Sequence, residues 1–322
     1  MDWDTFDTDL GGIDIANNTY RITTDQSIEP LIASIGALGL LHPIFIFPTG
    51  NRKWIVVSGF KRLAACQRLG YATIQAHRLK SDTPPERVAE IAICDNASQR
   101  SLNLVESSRV LTLLAGQVQD SSIRKQIRRR LGLPEHPSMR HKMMRLCQMP
   151  DTIQEGILKD EISLNTALML DDLGTETGII LAQIFRDLHL SHSKQREIII
   201  HLDDIARRDG IGKDTLLKDR QLQALLSDPD TNHVQKGKMV RQFIRAKRFP
   251  FLTSTEETFK KESKNLSLGK NIRFSAPSSF ESREYVFTLG IKRLEDLECG
   301  IKYLQNTLSN PALQTILALK TT

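Results

Sequence analysis

Hydrophobic positions change their period along the first hundred residues, and the change predicts a small α/β unit. Residues 54–57 form a compact apolar run rich in β-branched side chains, which is typical of a strand. From Phe60 apolar residues recur at helical spacing, and Gly70 is a typical helix end. The same patterns predict a helix from Pro30, strands over 43–47 and 74–79, and a helix that begins at Glu86.

From residue 104 onward the period is mostly that of helices. We expect helices over 104–117, 123–131 and 138–149, with Gly132 and two prolines in the second turn. A helix, a short turn with glycine and a helix that starts at serine are typical of a helix-turn-helix. Near the end of the chain, residues 271–276 and 285–289 alternate like the strands of a hairpin, and a helix follows over 292–308. The predicted fold class is therefore α+β.

A length of 322 residues is typical of two or three domains. Our predicted division is a flexible arm at 1–26, an α/β domain at 27–103, a helix-turn-helix domain at 104–174, a helical region at 175–250 and a C-terminal helix, hairpin and helix at 251–322. A hairpin edge can pair with its own copy, so the last region is a candidate for dimerisation. The alternative is a small domain that folds against its own chain.

Composition and charge narrow the function classes. The net charge of +6 and the pI near 9.1 permit nucleic-acid binding without requiring it, and the basic residues concentrate in the middle of the chain. Four scattered cysteines without a C-x-x-C pair argue against a zinc site and are typical of a reducing cytoplasm. We see no signal peptide and no apolar run that could span a bilayer, so we expect a cytoplasmic protein without a membrane partner.

The turn after the strand at 54–57 is a candidate anion site. Ser58 and Gly59 end the strand where a helix starts, and such a start leaves backbone N–H groups free for an anion. Lys61 and Arg62 lie in that first turn, although helix dipoles favour acids there. Because two cations are unfavourable at this end of a helix, their presence indicates that an anion binds nearby. A solvated basic helix start remains the alternative.

A second cluster of polar residues lies at the end of the helix that begins at Glu86. Spacings of three and four residues place Asp95, Asn96, Gln99 and Arg100 close together on it. A carboxylate among phosphate-binding groups indicates a metal ion between them, because the two anions otherwise repel each other. The alternative is an ordinary polar helix end.

These segments resemble the ParB N-terminal domain. Residues 34–44 read Ser-Ile-Gly-Ala-Leu-Gly-Leu-Leu-His-Pro-Ile, and a strand, the turn Gly59-Phe60-Lys61-Arg62 and a helix ending in Leu69-Gly70 follow, as in that family. Residues 95–103, Asp-Asn-Ala-Ser-Gln-Arg-Ser-Leu-Asn, are similar to the family's second signature, E-N-x-x-R-x-x-L-N. In the family a helix-turn-helix comes next, and the resemblance extends over about 28–173.

The resemblance implies a ligand, partners and site residues. Domains of this family bind CTP with Mg²⁺ between the two motifs, and the nucleotide closes two subunits into a clamp around double-stranded DNA. It therefore implies a homodimer, a ParA-type ATPase as a further partner, and a nucleoid-associated role in plasmid or chromosome partition. The implied nucleotide ligands are Ser58, Gly59, Lys61, Arg62, Asn96, Gln99 and Arg100, and the implied metal ligands are Asp95 and Asn96.

Three departures from the family pattern bear on the chemistry. Phe60 stands where the family has a glutamate linked to nucleotide hydrolysis, Lys61 replaces an arginine, and Asp95 replaces a glutamate. A phenyl ring can neither coordinate a metal nor orient water, so Phe60 argues against hydrolysis, although a weak CTPase stays open. One alternative is a DNA-binding transcriptional regulator with a degenerate nucleotide site. Another is an enzyme on the related ParB/sulfiredoxin fold, but sulfiredoxins need a cysteine where Phe60 stands.

Two basic stretches are candidate DNA contacts. The helix-turn-helix region is rich in arginine, and such clustering favours contacts to DNA phosphates over a merely solvated helix face. A second basic helix over 234–247 is either another DNA surface or a solvated helix. With 138–148 as the recognition helix by analogy, the candidate DNA-binding residues are Arg128, Arg129, Ser138, Arg140, Lys142 and Arg145.

Overall fold

The structure is a computed structural model that describes residues 3–24, 27–50, 53–98 and 100–319. It divides into two compact units, Met1–Asp187 and Leu188–Thr322. Within the described ranges, no helix is both long and apolar enough to cross a membrane.

The first unit combines a five-stranded sheet with helices. Its strands are β1 (Trp3–Asp9), β2 (Ile13–Asp14), β3 (Ile44–Pro48), β4 (Trp54–Ser58) and β5 (Thr73–Leu79). Its helices are α1 (Glu29–Leu38), α2 (Phe60–Arg68), α3 (Pro85–Ala97), α4 (Leu104–Gln117), α5 (Ser121–Arg130), α6 (Pro137–Arg145), α7 (Asp151–Leu158), α8 (Leu164–Asp172) and α9 (Thr175–Asp187).

Side-chain alternation in β4 explains how the sheet is covered on both faces. Val56 packs in one apolar cluster with Leu63 of α2, whereas Val57 packs in another with Val88 of α3 and Val110 of α4. The strand therefore reads as a continuous apolar run because both of its faces are buried. The predicted α+β class, with its small N-terminal α/β part, is confirmed.

The flexible arm predicted at 1–26 is wrong over the residues that the structure describes. The strand order is β1-β5-β3-β4-β2, and β1 pairs antiparallel with β5 from Trp3 opposite Leu79 to Asp9 opposite Thr73. β2 adds to the other edge, parallel to β4. Edge strands have one unpaired side and tolerate charged residues. The acidic residues within 4–9 therefore gave this strand the polar sequence that we had interpreted as an arm.

Helices fill the rest of the first unit. α5 and α6 are joined by residues 131–136, and Ile127 and Met143 belong to the same apolar cluster as α4. α9 packs against α7 and α8, so the unit ends at Asp187 rather than at the predicted boundary of 174.

The second unit is helical with a short hairpin. The predicted hairpin is confirmed, because residues 272 and 289 pair at one end of two antiparallel strands and residues 275 and 286 at the other. The elements are α10 (His192–Asp209), α11 (Lys213–Leu217), α12 (Arg220–Ser227), α13 (His233–Arg248), α14 (Pro250–Asn265), β6 (Ile272–Ser275), β7 (Val286–Leu289), α15 (Leu294–Leu308) and α16 (Pro311–Leu317).

Candidate functional site

The turn between β4 and α2 is built for a close approach of the backbone. Gly59 has φ +97°, and a Cβ atom there would lie 2.6 Å from Cγ2 of Ile44, so a larger residue would clash. No side chain in the described ranges caps α2, which leaves the first N–H groups of the helix available to an external acceptor. This geometry suits an anion.

A pocket of about 280 Å³ opens at this turn. It brings both sequence motifs together, because the start of α2 and the end of α3 form its walls. All the predicted nucleotide and metal ligands line it except Gln99, which lies outside the described residues. Sequence reasoning missed three lining residues that belong to neither motif. The lining residues are Thr23, Leu31, His42, Ser58, Gly59, Phe60, Lys61, Arg62, Asp95, Asn96 and Arg100.

Arg62 and Asp95 join the two motifs through an ion pair. Nη2 of Arg62 donates to Oδ2 of Asp95 over 2.9 Å, and the Ser58 hydroxyl donates to the same oxygen over 2.5 Å. Nη1 of Arg62 donates to the carbonyl of Pro43 over 2.6 Å. The side chains of Arg62 and Asp95 are only 18% and 25% exposed. The predicted phosphate ligand is therefore held in place by the predicted metal ligand.

Arg100, at the edge of the pocket, is bound to a buried carboxylate. Its two terminal nitrogens donate to Glu106 over 2.7 and 2.6 Å, and Glu106 is fully buried. Burial alone would raise the pKa of Glu106, but hydrogen bonds from Arg100 and from the backbone of Asn103 and Thr24 outweigh it and lower the pKa. Glu106 is therefore ionised, and it ties Arg100 to the start of α4.

The sequence contains a local signal for Glu106. Asn103 caps α4 by accepting from the backbone N–H of Glu106, and Glu106 accepts in return from the backbone N–H of Asn103. This reciprocal capping box is readable from the spacing of the two residues. Its coupling to Arg100 and to residue 24 could not be read, because it depends on tertiary structure.

Phe60 gives the pocket an apolar wall where the family has a carboxylate. The Arg21 guanidinium lies 5.8 Å from the centroid of its ring. A cation over an aromatic face is attracted by the electrons of the ring. Neither side chain provides an oxygen ligand, so this wall offers nothing to position a hydrolytic water.

The oxygen ligands at the site fit a metal that arrives with a phosphate. Within the described ranges, no group of three His, Cys, Asp or Glu side chains could hold a metal alone. Asp95 and Asn96 line the pocket and have a second carboxylate oxygen and an amide oxygen to offer. Mg²⁺ typically takes one or two protein carboxylates and completes its shell with phosphate oxygens and water.

The predicted DNA contacts of α5 and α6 divide into three groups. Arg128 and Arg140 line a second cavity, of about 320 Å³, and Arg124 lines it with them. Arg145 is instead paired with Asp171 and Asp172 of α8.

The other three candidates lie on exposed parts of the helix pair. Arg129 pairs with Glu135 over 3.3 Å, and the Ser138 hydroxyl bonds to Nδ1 of His136 over 2.8 Å. Lys142 is exposed in the last turn of α6.

The second basic helix, α13, uses its cations inside the second unit. Arg241 pairs with Glu197 over 2.6 Å. Arg245 forms two bonds with Glu256, over 2.7 and 2.8 Å. Arg248 pairs with Asp204 over 3.0 Å. These pairs favour a structural role for α13 over a second DNA surface.

Comparison with known proteins gives relatives over the first part of the chain. A probable chromosome-partitioning protein ParB from Chlamydia muridarum is 28% identical over 164 residues, which cover 49% of this chain and 56% of the relative. A nucleoid occlusion protein from Bacillus licheniformis is 27% identical over 154 residues, which cover 47% and 52%. The chain thus spans about half the length of these curated relatives.

Solved structures resemble the chain only loosely. A C-terminally truncated chromosome-partitioning protein ParB from Caulobacter crescentus, complexed with CTP-gamma-S, is 22% identical and covers 56% of this chain and 92% of its own, with a TM-score of 0.27. A likeness at that score says nothing about the ligand of this chain. The family model of the ParB N-terminal domain matches residues 13–97, a range with every described pocket residue except Arg100. Residues 13–97 of this chain are therefore similar to the ParB N-terminal domain.

Proposed function

We propose that this chain is a ParB-type DNA-binding protein whose N-terminal pocket binds CTP with Mg²⁺, and that it acts in plasmid or chromosome partition. One observation carries the proposal. The glycine turn, the cations of α2 and the polar end of α3 meet in one pocket of about 280 Å³, inside a ParB N-terminal domain.

Each wall of the pocket has a separate part in binding the nucleotide. The uncapped start of α2 offers N–H groups to phosphate oxygens, and Lys61 and Arg62 add positive charge. Asp95 and Asn96 would hold the Mg²⁺. Bound Mg²⁺ would offset the repulsion between the Asp95 carboxylate and the phosphates. Phe60 argues against fast hydrolysis, so we propose binding and not turnover.

Arg100 and Glu106 connect this pocket to the helices that we assign to DNA. Arg100 lines the pocket, and Glu106 belongs to the first turn of α4. α4 packs against α6, which we propose as the recognition helix of a helix-turn-helix. A ligand that changes the position of Arg100 therefore acts on the helix that supports the DNA contacts.

We also propose that the protein is a homodimer formed through α15. Leu294, Ile301 and Leu308 recur every seven residues and are 69%, 46% and 73% exposed. Leu297 and Leu304 fall between them, which completes the spacing of a coiled-coil seam. One flank of this stripe packs on the hairpin, because a Cβ atom at Gly300 would lie 2.6 Å from Cδ1 of Leu289 in β7. A ParA-type ATPase would be a further partner, by the family resemblance.

Light scattering after gel filtration tests the dimer. The parent protein should have twice the mass of the chain at micromolar concentration, and Ile301→Asp should halve it, because a charge in the seam is costly to bury. Ile200→Asp is the matched control, since Ile200 is 39% exposed on α10. A monomeric parent protein would remove this part of the proposal.

Calorimetric titration tests the nucleotide site. CTP, ATP, GTP and UTP are titrated separately in the presence of Mg²⁺. We expect selective binding of CTP that weakens at least about tenfold in Arg62→Ala, which loses a charge-assisted contact. Arg68→Ala is the control on the same helix, because Arg68 pairs with Glu29 at an exposed site. If no nucleotide binds while DNA binding is intact, the chain is a DNA-binding regulator with a degenerate pocket.

A DNA titration of variants tests whether the two sites are separate. Arg140→Ala should weaken binding to duplex DNA and leave CTP binding unchanged, since Arg140 lies on α6 and outside the nucleotide pocket. Equal loss of both ligands would contradict the assignment of the two sites.

A further inference from the structure

The helix pair α5–α6 carries much more positive than negative charge. Residues 119–145 contain eight lysines or arginines and two acids. Both acids are already engaged, because Asp120 caps α5 through the backbone N–H of Ser122 over 2.7 Å and Glu135 pairs with Arg129 over 3.3 Å. Arg145 pairs with Asp171 and Asp172 of α8, but no such acid partner is found among the described residues for Arg124, Arg128 or Arg140.

Three of these arginines point at one cavity. Arg124 and Arg128, one helical turn apart on α5, line it together with Arg140 of α6. The cavity measures about 320 Å³, large enough for a phosphate group. Its other lining residues are Leu111, Leu114, Ala115, Ser121 and Met144.

Contacts within the cavity leave this charge unbalanced. Nη2 of Arg124 donates to the carbonyl of Gln119 over 3.5 Å, and Nη1 of Arg140 donates to the carbonyl of Glu135. Among the described residues, the buried Nε of Arg128 has no hydrogen-bond partner. Burial and the nearby charge of Arg140 lower the pKa of Arg128, and the Glu135 carboxylate offsets only part of that effect. Three like charges therefore lie close together, with carbonyl oxygens as the acceptors of two of them.

Such a cluster is stabilised by an anion. Guanidinium groups present planar pairs of N–H donors that match phosphate oxygens, and contacts between ions are about twice as strong as neutral hydrogen bonds. An apolar floor beneath them lowers the local dielectric and strengthens the attraction.

We propose that Arg124, Arg128 and Arg140 form a clamp for one phosphate group of the DNA backbone. The choice of DNA as the source rests on the proposed function. A backbone contact of this kind fixes how α6 lies on the duplex and carries no sequence information. It adds Arg124 to the six candidate DNA-binding residues named from the sequence.

Thermal melting in inorganic phosphate tests the clamp without DNA. Phosphate at millimolar concentration should raise the Tm of the parent protein by a few degrees, in excess of sodium chloride at equal ionic strength. Arg128→Gln should lose most of that rise, and Lys125→Gln, on an exposed part of α5, should keep it. An equal rise in the parent protein and in Arg128→Gln would overturn the site.

The same variants separate a clamp from a structural arginine. Without phosphate and at low salt, Arg128→Gln should melt no lower than the parent protein, because it removes one of three repelling charges. A melting temperature several degrees lower would show that Arg128 supports the fold and would contradict the clamp.

Titration with random-sequence duplex DNA then identifies the source of the phosphate. The slope of log K against log salt should fall by about 0.9 in Arg128→Gln, the value for one lost phosphate contact. Lys159→Gln, exposed at the end of α7, is the control and should keep the slope. A phosphate effect on Tm with an unchanged slope would overturn DNA as the source. If the parent protein binds no DNA, the proposed function fails, while the melting experiment still decides the site.

Discussion

Two basic regions of this chain look alike in sequence and differ in structure. α13 and the pair α5–α6 both contain closely spaced lysines and arginines. The arginines at 241, 245 and 248 of α13 are paired with acids from α10 and α14. Those at 124, 128 and 140 surround a cavity that no acidic side chain lines among the described residues.

The difference distinguishes a basic helix whose charge the fold neutralises from one whose charge is left for a ligand. Positive charge that the fold itself neutralises is not offered to a ligand, however dense it is in the sequence. Glu197 and Asp204 lie 44 residues from their partners in α13, so a sequence window cannot reveal the pairing. Charge without an internal partner is the better marker of a phosphate site.

Among the ion pairs compared here, the one between Arg100 and the buried Glu106 should contribute most to stability, so replacing Glu106 should lower the free energy of unfolding most. Glu106→Gln leaves Arg100 without its anion and removes a fully buried charge that receives several hydrogen bonds. We expect the free energy of unfolding to fall by about 3 kcal/mol, as for other broken buried pairs. Chemical denaturation measures it. Glu135→Gln, which breaks an exposed pair, should change it by less than about 0.5 kcal/mol.

The next largest effect should be that of pH, because acid should remove the contribution of Glu106 to the free energy of unfolding. The pKa of Glu106 is lower in the folded protein than in the unfolded chain, so its stabilisation is complete above the unfolded value and is lost as pH falls through the folded value. The gap in unfolding free energy between the parent protein and Glu106→Gln should therefore narrow between pH 7 and pH 3. A gap that is constant over this range would show that Glu106 does not act through its charge.

A paired arginine of α13 should have a smaller but measurable effect. Arg245→Gln breaks two bonds to Glu256, and we expect a loss of about 0.5–1 kcal/mol because both side chains are 39% exposed. Arg128 has no acidic partner of this kind, so Arg128→Gln should leave the free energy of unfolding unchanged. Urea denaturation measures the free energy of unfolding of both variants. An equal loss in both would contradict the distinction between paired arginines of α13 and the arginines at the α5–α6 cavity.

Local patterns predicted much of the nucleotide pocket. The strand, the glycine turn and the helix from Phe60 are contiguous, and the capping and turn preferences that shape them act over a few residues. The polar end of α3 was predicted in the same way. His42 and Thr23 reach the pocket only through tertiary packing, and β1 looked like an arm because its partner, β5, lies about 70 residues away.

The most direct test compares the two basic regions in one DNA titration. Binding of random-sequence duplex DNA is measured by fluorescence anisotropy between about 50 and 200 mM salt. The double variant Arg124→Gln, Arg128→Gln should lower the salt slope by about 2, as expected for two lost phosphate contacts. The double variant Arg241→Gln, Arg245→Gln should leave the slope unchanged. An equal fall in both, or a fall only in the second, would contradict the claim that unpaired arginines mark the DNA surface.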